Sequence, residues 1–178
     1  MRKAMFCLAV ALLTSSICLA SPMNGSYTGI VPAGPVNSGK TGDNWNKFYF
    51  GGTGSFATGG ASGGEPNTFP SLSSPPWTFF GPADIRVTDA FLAGDQFAVY
   101  DFGVLIGTTS GGVSTGGTDI DPVLAFANPI YGKGVFSVGG GNHSITIQAV
   151  TSPFGGGGAF FQVVATPEPL SVVVFGGL

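Results

Sequence analysis

After residue 20, no stretch of this chain free of both glycine and proline is longer than eleven residues; the two longest are Ala83–Ala93 and Asn142–Ser152. All 31 glycines and 13 prolines fall in that part. A helix interior tolerates glycine poorly and proline hardly at all, so long helices are excluded. Within the permitted stretches β-branched and aromatic residues dominate, which is the composition of strands. The 21 aromatic residues beyond residue 20 argue against disorder, because disordered chains are aromatic-poor.

The spacing predicts eight strands, near Lys47–Phe50, Trp77–Phe80, Ile85–Thr88, Gln96–Tyr100, Val104–Thr108, Val135–Val138, Ser144–Val150 and Ala159–Ala165. Several alternate with period two. Ile145, Ile147 and Ala149 share one face, and Thr146 and Gln148 the other. Asp101-Phe102-Gly103 reads as a short hairpin loop. Eight short strands joined by turn signals predict an all-β domain, a single antiparallel β-sandwich or jelly roll with glycine-rich loops. Residues 51–76 read as a long loop, and Gly155 to Gly158 as a mobile one.

Met1 to Ala20 carries Arg2 and Lys3, an apolar run from Ala4 to Leu13, and small residues ahead of Ser21. That grammar predicts a secretory signal helix cleaved by signal peptidase between Ala20 and Ser21. Ile17 stands where lipoprotein processing at Cys18 would need a small residue. Cleavage removes both cysteines, Cys7 and Cys18, so no disulfide is expected in the mature chain. It leaves 9 acidic residues against 4 basic ones. Such a balance offers no basic surface, so nucleic acid is not an expected partner. The expected organisation is a signal peptide over 1–20, one domain over 21–165 and a C-terminal segment over 166–178.

Several motifs invite chemistry. Gly112-Val113-Ser114-Thr115-Gly116 matches a nucleophile elbow, and Asp119, Asp121 and His143 follow in hydrolase order. The elbow needs a strand–turn–helix context, and no helix is legible after it. Gly52-Thr53-Gly54-Ser55-Phe56-Ala57 fits a dinucleotide fingerprint, but the following glycines preclude the helix it must open. His143 is the one histidine, too few for a zinc site without thiols. Two glutamates, Glu65 and Glu168, are unframed by aromatics, which disfavours a glycosidase. Trp45, Tyr49 and Trp77 can stack on sugars or fill a core. Asp84, Asp89, Asp95, Asp101, Asp119 and Asp121 crowd the strand ends. Asp119 and Asp121 are the candidate calcium ligands, against the alternative of solvated turn aspartates. No cofactor other than calcium is indicated, and no catalytic residue is assigned.

Thr166-Pro167-Glu168-Pro169-Leu170 leads into Ser171 and the apolar Val172-Val173-Val174-Phe175. This resembles the sorting signal of PEP-CTERM proteins. The runs Trp77-Thr78-Phe79, Val87-Thr88-Asp89-Ala90-Phe91-Leu92, Gly94-Asp95-Gln96-Phe97, Gly107-Thr108-Thr109-Ser110 and Gly141-Asn142-His143-Ser144-Ile145-Thr146-Ile147 resemble their ectodomains. The resemblance implies a Gram-negative bacterium, recognition of Pro167, Glu168 and Pro169 by an exosortase, and transient membrane anchoring through the C-terminus. It implies a secreted, non-enzymatic protein of the outer cell surface or biofilm matrix, with exopolysaccharide as a partner. Leu170 to Leu178 is nine residues where a span needs about 20. Either the apolar segment continues past Leu178 or this copy has lost its anchor. The alternative is a carbohydrate-binding β-sandwich module with structural calcium.

Overall fold

The computed structural model describes residues 45–60, 69–114 and 116–166. The expected signal segment with Ala20 and Ser21, Glu65, and the Pro167-Glu168-Pro169 motif lie outside the described residues. The described chain is antiparallel β-structure with one short helix. In chain order the elements are β1 (Asn46–Phe50), β2 (Trp77–Asp89), β3 (Phe91–Leu92), β4 (Gln96–Asp101), β5 (Val104–Thr108), β6 (Thr118–Asp119), α1 (Pro122–Ala127), β7 (Lys133–Thr151) and β8 (Gly157–Ala165). Six strands form a sheet in the order β1-β8-β2-β7-β4-β5, and β3 pairs with β6.

Four of the eight expected strands prove to be halves of two. Trp77–Phe80 and Ile85–Thr88 join through Gly81-Pro82 into β2, and Val135–Val138 and Ser144–Val150 join through three glycines into β7. Burial alternates along β2 from Trp77 to Val87, with Trp77, Phe79, Ala83, Ile85 and Val87 inward. On β7 the inward set changes parity, from Phe136 and Val138 to His143, Ile145, Ile147 and Ala149. A one-residue change of register flips every side chain to the other face, so β7 needs one extra residue between the halves. The pairing supplies it: Gly81 faces Gly141 while Ala83 faces Val138, two residues on β2 against three on β7. Such a bulge bends the ladder. Gly81 is the residue that lets the bend close. A Cβ there would collide with the Gly139 carbonyl oxygen and lie 2.8 Å from His143 Nε2.

The bend folds the sheet onto itself. β1 and β4 are four steps apart in the sheet, about 19 Å if it were flat, yet Phe50 and Phe97 meet edge-on at 4.9 Å and Phe48 and Phe97 at 5.5 Å. Trp77 joins Phe48 at 5.6 Å and Phe161 at 5.4 Å. These rings, with Ile85, Val87, Ile145 and Val163, fill the main core.

Hydrogen bonds complete a circuit around that core. β1 pairs with β8, β8 with β2 and β2 with β7. Residues 54–57 then lie along the second half of β7, with Gly54 N–H donating to Ala149 O at 2.7 Å and Ala57 N–H to Ile147 O at 2.7 Å. Thr58 and Tyr49 exchange backbone bonds of 2.6 and 3.0 Å, which returns the circuit to β1. The start of the expected 51–76 loop is therefore strand-like. Gly157 and Gly158, expected in a mobile loop, are paired in β8 with Phe50 and Tyr49.

The helix is the element the sequence pattern hid. Asp121 caps it, its carboxylate accepting from Val123 N–H at 2.8 Å and Leu124 N–H at 3.3 Å, and Pro122 occupies the first turn. An acidic cap followed by proline is a helix start. Six residues are too few to be stable alone. Lys133 Nζ donates to the Phe126 and Asn128 carbonyls at 2.7 and 3.1 Å, and Phe126 packs on Trp45 at 5.5 Å. Tyr131, in the second core cluster beneath the helix, links β3 to β6. Its hydroxyl accepts from Asp119 N–H at 2.6 Å and donates to Phe91 O at 3.1 Å.

The β4–β5 hairpin turns through two residues, Phe102 and Gly103, with φ of 48° and 79°. Both central residues of such a turn are left-handed, which favours Asn-Gly. Phe102 is an L-residue in an unfavourable conformation with its side chain 66% exposed. Phe102→Asn is expected to raise unfolding stability by about 1 kcal/mol, read by urea denaturation. Tyr131→Phe is expected to cost about 1–3 kcal/mol, because two partly buried backbone groups lose their partner.

Candidate functional site

The polar groups that the sequence offers for chemistry are largely absorbed by the fold. His143 sits at the bend of β7, its Nδ1 2.7 Å from Asp101 Oδ2 and its Nε2 2.9 Å from Gly139 O. Both ring nitrogens are thus engaged by oxygen atoms of the protein. The ring also lies 5.1 Å from Phe79. Asp101 Oδ1 accepts from Ser144 N–H at 2.9 Å. This cluster ties the end of β4 to the bend.

Ser114 lies elsewhere. Its Cα is 3.5 Å from where a Gly94 Cβ would stand, just ahead of β4, whereas His143 contacts Asp101 at the other end of that strand. Six residues of strand separate the two by about 17 Å. Ser114 and His143 are not brought together. Helix α1 starts at Pro122, six residues past the end of the Gly-x-Ser-x-Gly run, and so does not supply the elbow's helix. The dinucleotide-like run opens no helix: Gly52 to Ser55 turns on itself, with Ser55 N–H donating to Gly52 O at 3.0 Å, and Gly54 and Ala57 then bond to β7.

The calcium candidates are also engaged. Asp121 caps the helix, and Asp119 Oδ2 accepts from Asn128 Nδ2 at 3.2 Å. Among the described residues no three His, Cys, Asp or Glu side chains gather as a metal site.

Sequence reasoning missed a buried carboxyl pair. Asp89 closes β2 and is fully buried; Asp95 precedes β4 and is 4% exposed. The Asp89 carboxylate accepts from Ala90 N–H at 2.7 Å and from Gly94 and Asp95 N–H at 2.9 Å each. Gly94, at φ +144°, is where only glycine serves, since a Cβ would stand 2.8 Å from Pro153 Cγ. Burial pushes Asp89 up to about 8, the neighbouring Asp95 carboxylate adds to the rise, and the three backbone donors oppose it. Burial raises Asp95 as well. Ser152 lies beside Asp95, but neither its hydroxyl nor Asp95 Oδ1 is in hydrogen-bond geometry with a partner. Two buried carboxyls in contact are best accommodated by holding a proton between them. Asp89 and Asp95 appear in the sequence only as two of several strand-end aspartates; nothing local marks them as buried.

What the fold leaves to solvent is different in kind. Trp45 and Trp77 are buried, so neither stacks on an outside ligand. The outward side chains of the second half of β7 are Ser144, Thr146, Gln148 and Val150, and β4 adds Gln96 and Tyr100 beside them. Phe56, opposite Gln148 on the 54–58 run, is 54% exposed and meets Tyr100 ring to ring at 6.1 Å. Tyr100 Oη donates to Gln148 Oε1 at 3.0 Å, and Gln148 Nε2 donates to Gly54 O at 2.9 Å. The Tyr100 ring is thus held by a fixed amide. None of these outward side chains is charged. Aromatic faces beside neutral donors and acceptors can bind; they supply no acid, base or nucleophile.

The buried pair dictates a pH dependence. The folded state keeps a proton that the unfolded chain releases above about pH 4, so stability is greatest in acid and falls as pH rises toward about 8. Thermal melts at pH 5 and pH 8.5 should show the alkaline protein less stable by at least about 2 kcal/mol. Asp95→Asn removes the neighbouring charge and is expected to flatten the curve. Every other titratable group is common to both proteins, so the difference between the curves isolates the pair.

The chain matches no protein-family model, and no curated protein or solved structure matches it.

Proposed function

We propose that this chain is a secreted, non-enzymatic component of the cell envelope or exopolysaccharide matrix, sorted by an exosortase through Pro167, Glu168 and Pro169. The observation that carries the reading is a pairing of chain ends around a charge-poor body. A secretory-type segment precedes Ser21, and a Pro-Glu-Pro motif followed by an apolar run succeeds the last strand. The engagement of His143 by Asp101 and Gly139, distant from Ser114, supports a body without hydrolytic chemistry. The expected architecture is a jelly-roll-like β-sandwich, supported by the contact of β1 rings with β4 rings across a folded sheet.

A second reading, a carbohydrate-binding module, is favoured by the uncharged aromatic face around Phe56 and Tyr100. Structural calcium enters this reading through Asp119 and Asp121. A melt that is identical in calcium and in chelator removes it, since a ligand of the folded state alone raises stability.

The primary reading is tested in an exosortase-bearing Gram-negative host. The mature chain is expected to begin at Ser21 and to collect at the outer surface or in the matrix. Replacing Pro167, Glu168 and Pro169 by alanine should leave cleavage after Ala20 intact and abolish surface delivery. Normal delivery of that triple variant, or its independence from the exosortase, would sink the sorting claim.

A further inference from the structure

We propose that the outward face formed by residues 54–58, the second half of β7 and β4 is a binding platform for an uncharged polysaccharide, with Phe56 and Tyr100 as its stacking rings. The inference rests on the surface-matrix reading above for the availability of such a polymer, and on the face itself for the site.

The chemistry of the face selects the ligand. A sugar ring presents an apolar C–H surface rimmed by hydroxyls. It is matched by an aromatic face flanked by neutral groups that donate and accept hydrogen bonds. Phe56 and Tyr100 provide the rings, inclined at 49° to each other. Thr146, opposite Tyr100, and Gln148, opposite Phe56, provide the neutral polar groups. The absence of charge on the outward positions of β4 and of the second half of β7 is selective. It gives an anionic polymer no counter-charge, and it imposes no desolvation cost on burying an ion against a neutral chain.

The platform is also pre-organised. Tyr100 is fixed through its hydroxyl to Gln148, and Gln148 through its amide to Gly54. Gly54 and Ala57 are bonded by their backbones to β7. A rigid aromatic surface loses little conformational freedom on binding, which is where affinity for a repetitive polymer is otherwise spent. The core gives Phe56 no reason to be aromatic, since the neighbouring Ala57, not Phe56, faces it.

The test is affinity electrophoresis of the mature chain in gels containing soluble dextran, galactomannan or xyloglucan, with alginate and polygalacturonate as anionic comparators. Retardation by at least one neutral polymer is expected, unchanged in 1 M salt. Phe56→Ala and Tyr100→Ala should each weaken it at least ten-fold, and Phe56→Trp should retain it. Leu124→Ala, which removes an exposed apolar side chain from the helix, should have no effect. Thermal melts report whether each variant is folded, and removing the exposed Phe56 ring should leave the melt near that of the parent. The proposal is overturned by retardation in none of the neutral polymers, by binding that survives in both ring variants, or by binding restricted to the anionic gels and lost in salt. If matrix delivery persists while ring variants bind normally, the site is wrong and the surface reading stands. If ring-dependent binding holds but the chain never reaches the surface, the site stands and the sorting reading fails.

Discussion

Phe97 on β4 touches both Phe48 and Phe50 on β1, and those contacts require two strands four steps apart in the hydrogen-bond order to face one another. No flat or gently twisted sheet can arrange that. The rest of the fold follows from meeting the requirement. β2 and β7 must be long enough to run through both halves of the folded sheet, they must bend together, and one of them must carry an extra residue where they bend. Gly139 to Gly141 absorbs the extra residue, Gly81 leaves room for the crossing backbone, and His143 with Asp101 pins the corner from inside. Burial of these rings, each worth roughly 1.5–3 kcal/mol, is what the bend makes possible in a chain with few charges and no disulfide among its described residues.

Much of this was legible from the sequence, and the misses have specific causes. Glycine and proline spacing, with β-branched and aromatic content between, located every strand of the main sheet, and period-two alternation marked the halves of β2 and β7. The spacing cut β2 and β7 in two because Gly81-Pro82 and the glycine triplet read as stops. In isolation they are. Here a bulge on one strand compensates a bend in both, a matter of pairing between residues about 60 apart in sequence. Residues 54–58 read as loop because glycine surrounds them, yet the edge of β7 recruits their backbone. Helix α1 is hidden by its length, although Asp121-Pro122 carries a helix-start signal in a residue that reads equally as a calcium ligand or a turn aspartate. The aspartates divide in the same way. Asp121 acts within three residues of itself, whereas the burial of Asp89 and Asp95 comes from β7, β8 and the loop at Pro153 closing over them, which no local pattern records.

The distribution of polar chemistry between inside and outside bears on function. Inside, the ionisable groups meet structural needs: Asp89 gathers three backbone amides at a corner, Lys133 satisfies the end of a six-residue helix, and Asp101 holds His143. Each is where an unpaired backbone group would otherwise be costly. Outside, β4 and the second half of β7 present uncharged side chains to water, and solubility there rests on hydroxyls and amides. A surface of that kind is poorly suited to attracting ions from a distance and well suited to close contact with a neutral, hydroxyl-rich polymer.

The same division explains why two local choices run against the fold. Phe102 occupies a left-handed turn position that asparagine would fill at lower cost, and Phe56 exposes a ring beside a buried alanine. Neither choice contributes to the core, and the first actively opposes the hairpin it sits in. Residues that break a local rule without a structural return are where function is expected to show. Phe102 follows Tyr100 by two positions, at the tip of the hairpin whose β4 strand carries that ring, and Phe56 meets Tyr100 directly. These two departures from the folding optimum therefore lie about one tyrosine, itself locked by an amide, on an uncharged face that the bent sheet turns outward.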